Sequence, residues 1–222
     1  MRGLDPAEPP GIRAVIFDLW ETLIDWDESA ARRMAERIDE LAGPGFRERW
    51  YAAPNRYTAP VRDVLTEVGV PAAVLEDVCE IRLEYVRGCL VPRPGAVQTL
   101  GALRERGLLT GLITVCSEDV ETLWPNTEFA GLFDAEVFSS RLGISKPDPR
   151  IYLHCCELLG VEPREAVFVG DGANDELAGA RRVGMDAILI HRAGRDPLWA
   201  EVSDWDGPRV TSIPQVLEVL EL

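Results

Sequence analysis

The chain contains few of the features that place a protein in a membrane or hold it together through disulfides. None of its segments approaches the roughly 18 consecutive apolar residues that a membrane helix needs, so we expect a cytoplasmic protein without a membrane partner. The five cysteines are an odd number without C-x-x-C spacing, which is typical of reduced, buried thiols. The two histidines, His154 and His191, form no zinc-binding motif. These absences argue against a secreted scaffold and against a histidine-based metal centre.

Positive charge is also scarce. The chain has 38 acidic and 23 basic side chains, which gives a net charge of −15 at pH 7. A surface with this charge repels polyphosphate backbones, so we expect no nucleic-acid partner. A small anionic substrate remains compatible with the composition, because a lysine or a bound cation reverses the potential inside a cleft.

Short apolar segments alternate with helical patterns along most of the chain. The alternation implies βαβ units and therefore an α/β fold with a mainly parallel sheet covered on both faces. A stretch at 196–210 (DPLWAEVSDWDGPRV) is interpreted as an irregular connection without an assigned function. The predicted strands are AVIF at 14–17, LLTGLIT at 108–114, AEVFSS at 135–140, AVFVG at 166–170 and DAILI at 186–190.

A helical segment at residues 26–91 interrupts this alternation. Apolar residues recur three and four apart within 31–41, 61–68 and 72–86, and prolines and glycines separate these stretches. We therefore predict a small helical domain at 26–91, inserted into a core formed by 1–25 and 92–222. Four arginines of the insert could reach a substrate, but arginines on helices more often form solvated faces or ion pairs. They are Arg56, Arg62, Arg82 and Arg87.

Polar residues occur where the predicted strands end. Asp18 follows the first strand, Thr114 ends the second, and Asp171 follows the fourth, with Asp175 one helical turn later. Because ligands of open parallel sheets bind beyond the carboxyl ends of the strands, these residues are expected to converge. Lys146 lies on a loop before a helix, held extended by the proline that follows it.

The charges of these residues predict a cation and a phosphate group. Three carboxylates in one cleft repel each other unless positive charge is supplied, and Lys146 supplies only one charge. A cluster of Asp without His or Cys favours Mg²⁺ over zinc. Such a site suits a phosphate: metal and lysine against its oxygens, Thr114 donating a hydrogen bond, and one carboxylate free to attack.

Four motifs together resemble the haloacid dehalogenase-like hydrolase superfamily. They are FDLWETL, GLIT, SKPDP and VGDGANDELAGA, and the similarity spans residues 14–190. The resemblance implies a Rossmann-like core with an α-helical cap inserted after the first motif. It implies that Asp18 is the nucleophile of an aspartyl-phosphate intermediate, that Thr114 binds the phosphoryl group and that Lys146 stabilises it. It also implies that Asp171 and Asp175 organise Mg²⁺, in an acidic loop that includes Asn174.

The chain departs from this family at Trp20. Phosphatases of the family usually carry an Asp two residues after the nucleophile, which protonates the leaving group and then activates water. Trp20 has no proton to exchange near neutral pH, although its backbone carbonyl still serves as the metal ligand that the family uses there. We therefore expect a preference for acyl or aryl phosphates, whose leaving oxygens need little protonation, over alkyl phosphates. Glu21 is expected to point the other way on an extended segment.

Two other functions remain open. One is a 2-haloacid dehalogenase, because that branch of the family also carries an aromatic residue in place of the second acid. The acidic loop around Asp171 is expected of the Mg²⁺-dependent branch and argues against it. The other is a non-catalytic binding or regulatory module in which Trp20 marks the decay of the site. The prediction is a Mg²⁺-dependent phosphatase acting on a small phosphorylated substrate or another small anion.

Overall fold

The computed structural model describes residues 11–191, 199 and 202–221. Its centre is a six-stranded sheet in the order β3-β2-β1-β4-β5-β6, and each neighbouring pair of these described strands is parallel. This order is that of Rossmann-type sheets, so the predicted α/β fold is confirmed. The strands are β1 (Ala14–Phe17), β2 (Leu109–Thr114), β3 (Ala135–Phe138), β4 (Ala166–Gly170), β5 (Asp186–Ile190) and β6 (Arg209–Val210).

The central strands consist almost entirely of buried residues. All four residues of β1 and all five of β4 are buried, as expected for a sheet that helices cover on both faces. The chain proceeds from β1 outward to β3 on one side and returns to β4 on the other. The carboxyl ends of β1 and β4 therefore flank the point where strand order reverses, which is where a crevice opens in such sheets.

Ten α-helices are assigned within the described residues, four of them in the segment predicted as an insert. Those four are α1 (Glu28–Ala42), α2 (Phe46–Ala52), α3 (Val61–Glu67) and α4 (Leu75–Cys89). The other six are α5 (Ala96–Glu105), α6 (Glu118–Leu123), α7 (Ser139–Leu142), α8 (Pro149–Leu159), α9 (Glu176–Arg182) and α10 (Gln215–Val219).

The four helices of the insert surround a hydrophobic cluster of their own, which includes Ile38, Phe46, Leu65 and Val78. Helix α1 shows why they form. Asp27 caps its first turn by accepting from Ala30 N (2.9 Å), and the helix buries a stripe of residues spaced three and four apart. The buried stripe is Ala31, Ala35 and Ile38. We call α1 to α4 the helical cap.

The cap leaves and rejoins the sheet at adjacent points. Ile24 forms an isolated antiparallel bridge with Pro92, and Arg93 N donates to Leu23 O (2.8 Å). The division at 26–91 stays a prediction, and residues 1–10 lie outside the described part of the chain. Across the cap and the core, buried Arg82 of α4 pairs with buried Asp119 of α6 at 2.5 Å.

Several elements differ from the sequence-based expectations. Helix α2 was not predicted, because Pro44 and Pro54 suggested a loop between them, whereas both lie just outside the helix. Strand β6 falls at the end of the stretch interpreted as an irregular connection, and two residues are too short for a periodic signal. Positions 196–198, 200 and 201 of that stretch lie outside the described residues.

All five cysteines are free and buried, as expected. Among the described residues, no helix is both long and apolar enough to cross a bilayer.

Candidate active site

Asp18 lies immediately after β1 with only 4% of its surface exposed. Its backbone N–H continues the sheet by donating to Val169 O (2.9 Å). Its two carboxylate oxygens are held unequally: Oδ1 accepts from Lys146 Nζ at 2.5 Å, and Oδ2 accepts from Thr22 Oγ1 at 3.2 Å. The carboxylate is therefore anchored at one oxygen and only weakly engaged at the other.

Lys146 reaches Asp18 from the loop before α8. Asp148 caps this helix by accepting from Arg150 N (2.9 Å), and Pro149 takes its first position, as the sequence predicted. The buried ammonium of Lys146 also contacts Glu176 Oε2 at 2.5 Å. Burial alone would lower the pKa of Lys146, but the two carboxylates outweigh it and hold that pKa above its ordinary value. Lys146 is therefore a fixed positive charge.

Three buried acids cluster beside this ammonium, and two of them, Asp18 and Glu176, contact it directly. Asp18, Asp171 and Glu176 each offer a carboxylate oxygen, and these oxygens lie within 4.8 Å of one another. Burial raises the pKa of Glu176 well above its ordinary value, and the neighbouring Asp18 and Asp171 add to the rise. Burial also raises the pKa of Asp18. We call these three acids together with Lys146 the charged floor.

Asp175 lies outside the cluster of buried acids, and its role as a metal ligand stays a prediction. It is exposed, and its neighbour Glu176, fully buried, takes the place in the cluster that Asp175 was expected to have. The backbone explains the exchange: Asn174 and Asp175 both adopt left-handed φ values of 54° and 55°, which turns the chain before α9 begins at Glu176. Gly172 N then donates to Glu176 Oε1 at 2.9 Å. The sequence offered Glu176 as a second candidate, because acids stand both four and five positions after Asp171.

Thr114 lies at the end of β2, as predicted, and is fully buried. Its Oγ1 has no hydrogen-bond partner among the described residues. The three residues that follow, Val115, Cys116 and Ser117, line the cavity above the charged floor. Thr114 itself is not among the lining residues.

Trp20 is half-buried and lines the cavity. Its ring meets that of Trp26 edge to face, with centroids 5.7 Å apart. Glu21 was expected to point away on an extended segment, but it has a left-handed φ of 56° and lines the cavity. Its carboxylate accepts a hydrogen bond from Trp26 N at 2.6 Å. Glu21 therefore holds the backbone at the start of the cap.

Trp199 is a site residue that the sequence analysis did not identify. Its indole Nε1–H donates to Asp171 Oδ2 at 2.8 Å, and its ring lines the cavity. It belongs to the stretch at 196–210, where no periodicity indicated that a tryptophan would reach the strand ends. The contact adds a neutral donor to an acid of the charged floor.

The cavity above the charged floor has a volume of about 920 Å³. Of the four arginines considered in the insert, Arg56 and Arg82 line it, whereas Arg62 pairs with Glu76 and Arg87 is exposed. The opposite side of the cavity is formed by aromatic rings. They are Trp20, Trp26, Phe46, Trp50, Tyr51 and Tyr57, and we call them the aromatic wall.

The charged floor fits a hard divalent cation. Magnesium takes oxygen ligands at about 2.0–2.1 Å in an octahedron, so two ligands across it lie about 4 Å apart. The spread of up to 4.8 Å among the three carboxylate oxygens is close to this. One ammonium group leaves the three acids with excess negative charge. Burial is the main cause of the raised pKa values of Asp18 and Glu176, and the charge of neighbouring acids adds to the rise. Such a site favours Mg²⁺ because it offers oxygen and no sulfur or imidazole.

A Rossmann-type sheet whose first strand delivers a buried aspartate to a lysine, beneath a helical cap, is the framework of a class of hydrolases. Consistently, the family model described as haloacid dehalogenase-like hydrolase matches residues 12–184. The chain belongs to the haloacid dehalogenase-like hydrolase family.

Its relatives have two kinds of activity in their names. Glyceraldehyde 3-phosphate phosphatase of Pyrococcus furiosus is 32% identical, over 95% of this chain and 93% of the relative. (S)-2-haloacid dehalogenase 4A of Burkholderia cepacia is 30% identical, over 84% of this chain and 86% of the relative. The crystal structure of a phosphatase of this family from Thermococcus onnurineus matches with a TM-score of 0.72 over 94% of this chain and 98% of that one. At 21% identity that structure bears on the fold alone.

Proposed function

We propose that the protein is a Mg²⁺-dependent phosphatase that acts on a small phosphorylated metabolite through an aspartyl-phosphate on Asp18. The observation that carries the proposal is the charged floor: a strand-end aspartate bound at 2.5 Å by a buried ammonium and accompanied by two further acids beneath a cavity. The names of its phosphatase relatives support the same reaction.

The unequal contacts of Asp18 assign different tasks to its two oxygens. Lys146 holds Oδ1, which leaves Oδ2 with its single long hydrogen bond as the attacking atom. Attack forms a bond between Oδ2 and phosphorus while the bond from phosphorus to the leaving oxygen breaks. Water then attacks phosphorus, which releases phosphate and restores the carboxylate.

Positive charge near the phosphoryl oxygens lowers the barrier to both steps. Lys146 supplies one charge. Asp18, Asp171, Glu176 and the backbone carbonyl of Trp20 would hold Mg²⁺, which would supply two more. Thr114 stays a proposed donor to a phosphoryl oxygen because its buried hydroxyl has no partner among the described residues, although Thr114 is not among the residues that line the cavity. Asp175 is left out of the proposed ligand set because it is exposed.

Trp20, two residues after the nucleophile Asp18, cannot donate a proton to the leaving oxygen. Trp20 cannot titrate near neutral pH, and Glu21 is engaged with the backbone of Trp26. The lost proton transfer is typically worth about 10² to 10⁴ in rate. The enzyme is therefore expected to hydrolyse acyl and aryl phosphates faster than alkyl phosphates.

The test is phosphate release from acetyl phosphate and phenyl phosphate with Mg²⁺ and with chelator. We expect turnover that requires both Mg²⁺ and Asp18, and trapping of the metal-loaded protein by beryllofluoride, which mimics the phosphoryl group on a carboxylate. Turnover that persists in chelator or in Asp18→Asn would refute the mechanism. Failure of both turnover and trapping would favour the non-catalytic module.

Dehalogenation of 2-halo acids is the second candidate, because Trp20 provides no acid and a haloacid needs none when halide leaves. Asp171 and Glu176 argue against it, since their charges repel the carboxylate of a haloacid near Asp18 unless a cation is bound. Chloride release from 2-chloropropionate in the presence of chelator would reverse the preference.

A further inference from the structure

The cavity above the charged floor is lined by aromatic side chains as well as by charged ones, which include Arg47, Arg56 and Arg82. Six rings form the aromatic wall, and with Trp199 the cavity includes four of the six tryptophans of the chain. Aromatic faces bind other aromatic groups through offset-stacked or edge-to-face contacts.

The rings are held in place before any ligand arrives. Trp26 lies edge to face with both Trp20 (5.7 Å between centroids) and Tyr85 (6.2 Å). Phe46 and Trp50 stack at 6.0 Å, and the guanidinium of Arg82 covers Trp50 at 3.7 Å. Because each ring is fixed by a neighbour, little conformational entropy remains to be lost on binding.

The size of the cavity argues in the same direction. A triose phosphate has roughly ten non-hydrogen atoms, which fill at most about 300 Å³ if each takes the share of a water molecule, about 30 Å³. The cavity measures about 920 Å³, near the upper end of the range of about 300–1,000 Å³ for sites that enclose drug-sized ligands. The cavity therefore leaves room beyond a triose for an organic group as large as an aromatic ring.

The chemistry at the floor selects the same kind of molecule independently. Without a proton donor at position 20, the leaving oxygen must tolerate departing as an anion. A phenolic oxygen has a pKa of about 10, like tyrosine, whereas the oxygen of water has a pKa of about 15.7, and alkyl alcohols resemble it. An aromatic ring on the leaving oxygen therefore meets two requirements: it can contact the aromatic wall, and it lets the oxygen leave without a proton.

We infer that the substrates are aryl phosphates, in which the ring carried by the leaving oxygen binds against the aromatic wall. This inference rests on the proposed phosphatase activity for its reaction and on the cavity for its specificity. The bond from phosphorus to the phenolic oxygen breaks as Asp18 Oδ2 bonds to phosphorus. The phenolate takes its proton from solvent.

Four substrates separate the effect of the ring from that of the leaving group. Phenyl phosphate has a ring and a good leaving group, benzyl phosphate a ring and an alcohol, acetyl phosphate a good leaving group without a ring, and ethyl phosphate neither. We expect the ring to lower KM by roughly 3- to 10-fold within each pair, in line with the strength of an aromatic contact. The leaving group should act on kcat, so phenyl phosphate should exceed benzyl phosphate in kcat, and acetyl phosphate, whose leaving carboxylate is the weaker base, should exceed ethyl phosphate.

A binding measurement makes the inference testable without turnover. Phenylphosphonate and methylphosphonate cannot be hydrolysed, and their Kd values in Mg²⁺ can be measured by tryptophan fluorescence or calorimetry. We expect phenylphosphonate to bind roughly 3- to 10-fold more tightly. If it does while no phosphate ester is turned over, the proposed function fails and the aromatic subsite stands.

Trp26 is the residue through which to test the wall, because its ring joins Trp20 to Tyr85. Trp26→Leu should bring the Kd ratio of the two phosphonates close to one, and Trp26→Phe should restore part of it. Trp205→Leu is the matched control, since Trp205 is outside the cavity, and should keep the ratio within twofold. Equal Kd values for the two phosphonates in the unchanged protein would overturn the inference, as would a ratio that Trp26→Leu leaves intact.

Discussion

The charged floor and the aromatic wall face the same cavity but are built in different ways. The floor consists of buried charges at strand ends, joined by contacts of 2.5 Å between Lys146 and two carboxylates. The wall consists of six rings, three on α2 and three outside the cap helices, with centroids 5.7 Å apart for Trp20 and Trp26 and 6.0 Å apart for Phe46 and Trp50. Such a division assigns the reaction to the sheet and the choice of molecule to the aromatic wall. Mutations on the two sides should therefore change different kinetic constants.

The largest effect is expected at the floor from Asp18→Asn. The substitution keeps the shape of the side chain and removes the attacking carboxylate, so kcat for acetyl phosphate should fall on the order of 10⁴-fold or more. Asp63→Asn, at an exposed position of α3, is the matched control and should stay within twofold. If Asp18→Asn retained a tenth of the activity, Asp18 would not be the nucleophile. The reaction could then no longer be assigned to the charged floor.

A second test asks which acid completes the floor. Glu176→Gln removes a buried charge from the cluster, whereas Asp175→Asn changes an exposed neighbour. We expect Glu176→Gln to raise the Mg²⁺ concentration for half-maximal activity by at least about 100-fold, since even loss of a residue behind a metal ligand costs about 10- to 100-fold. Asp175→Asn should change it less than twofold. The reverse result would restore the assignment made from the sequence.

The ring of Trp20 is part of the aromatic wall, but Trp20 also stands two residues after the proposed nucleophile Asp18. Trp20→Asp supplies a proton donor two residues after the nucleophile and should raise the turnover of ethyl phosphate by roughly 100-fold, the lower end of the range of general acid catalysis. Acetyl phosphate should gain little, because its leaving group needs no proton. Trp20→Asn removes the ring without supplying an acid. If it raised ethyl phosphate turnover as much as Trp20→Asp, the ring would be a steric barrier and the acid irrelevant.

The floor was more predictable from the sequence than the wall for a physical reason. Strands of period two end at recognisable residues, and parallel topology brings their carboxyl ends together, so Asp18, Lys146 and Asp171 were expected to converge and do. The exchange of Asp175 for Glu176 was not predictable from spacing alone, because it depends on two consecutive left-handed residues. The wall depends on how four helices pack over the sheet, which no local pattern encodes.

The floor should also make the stability of the metal-free protein depend on pH. The pKa of Glu176 is raised from 4.5 by burial, so the folded state binds this proton more tightly than the unfolded state does. Stability from this group is present below about pH 4.5 and is lost as pH rises through the raised pKa, by up to about 1.4 kcal/mol per pH unit for one proton. Urea unfolding in chelator at pH 5 to 8 measures it.

Variants identify the origin of that slope. Glu176→Gln should reduce it, and Glu80→Gln, at an exposed position of α4, should not. Saturating Mg²⁺ should flatten the slope as well, because a cation favours the ionised acids. A slope that is unchanged in Glu176→Gln would mean that the buried acids of the floor carry no proton in this range, and the charge argument for a cation would lose its support.

The smallest effect is expected where a tryptophan contacts the floor directly. Trp199→Phe keeps an aromatic ring and removes the hydrogen bond from Nε1 to Asp171 Oδ2. An ionised carboxylate oxygen has a second lone pair, so this bond leaves Asp171 free to bind a cation while fixing its orientation. We expect the Mg²⁺ requirement to rise by about 3- to 10-fold with KM for phenyl phosphate nearly unchanged. A change in KM alone would instead make Trp199 part of the wall, which would show that the two halves of the cavity meet at this residue.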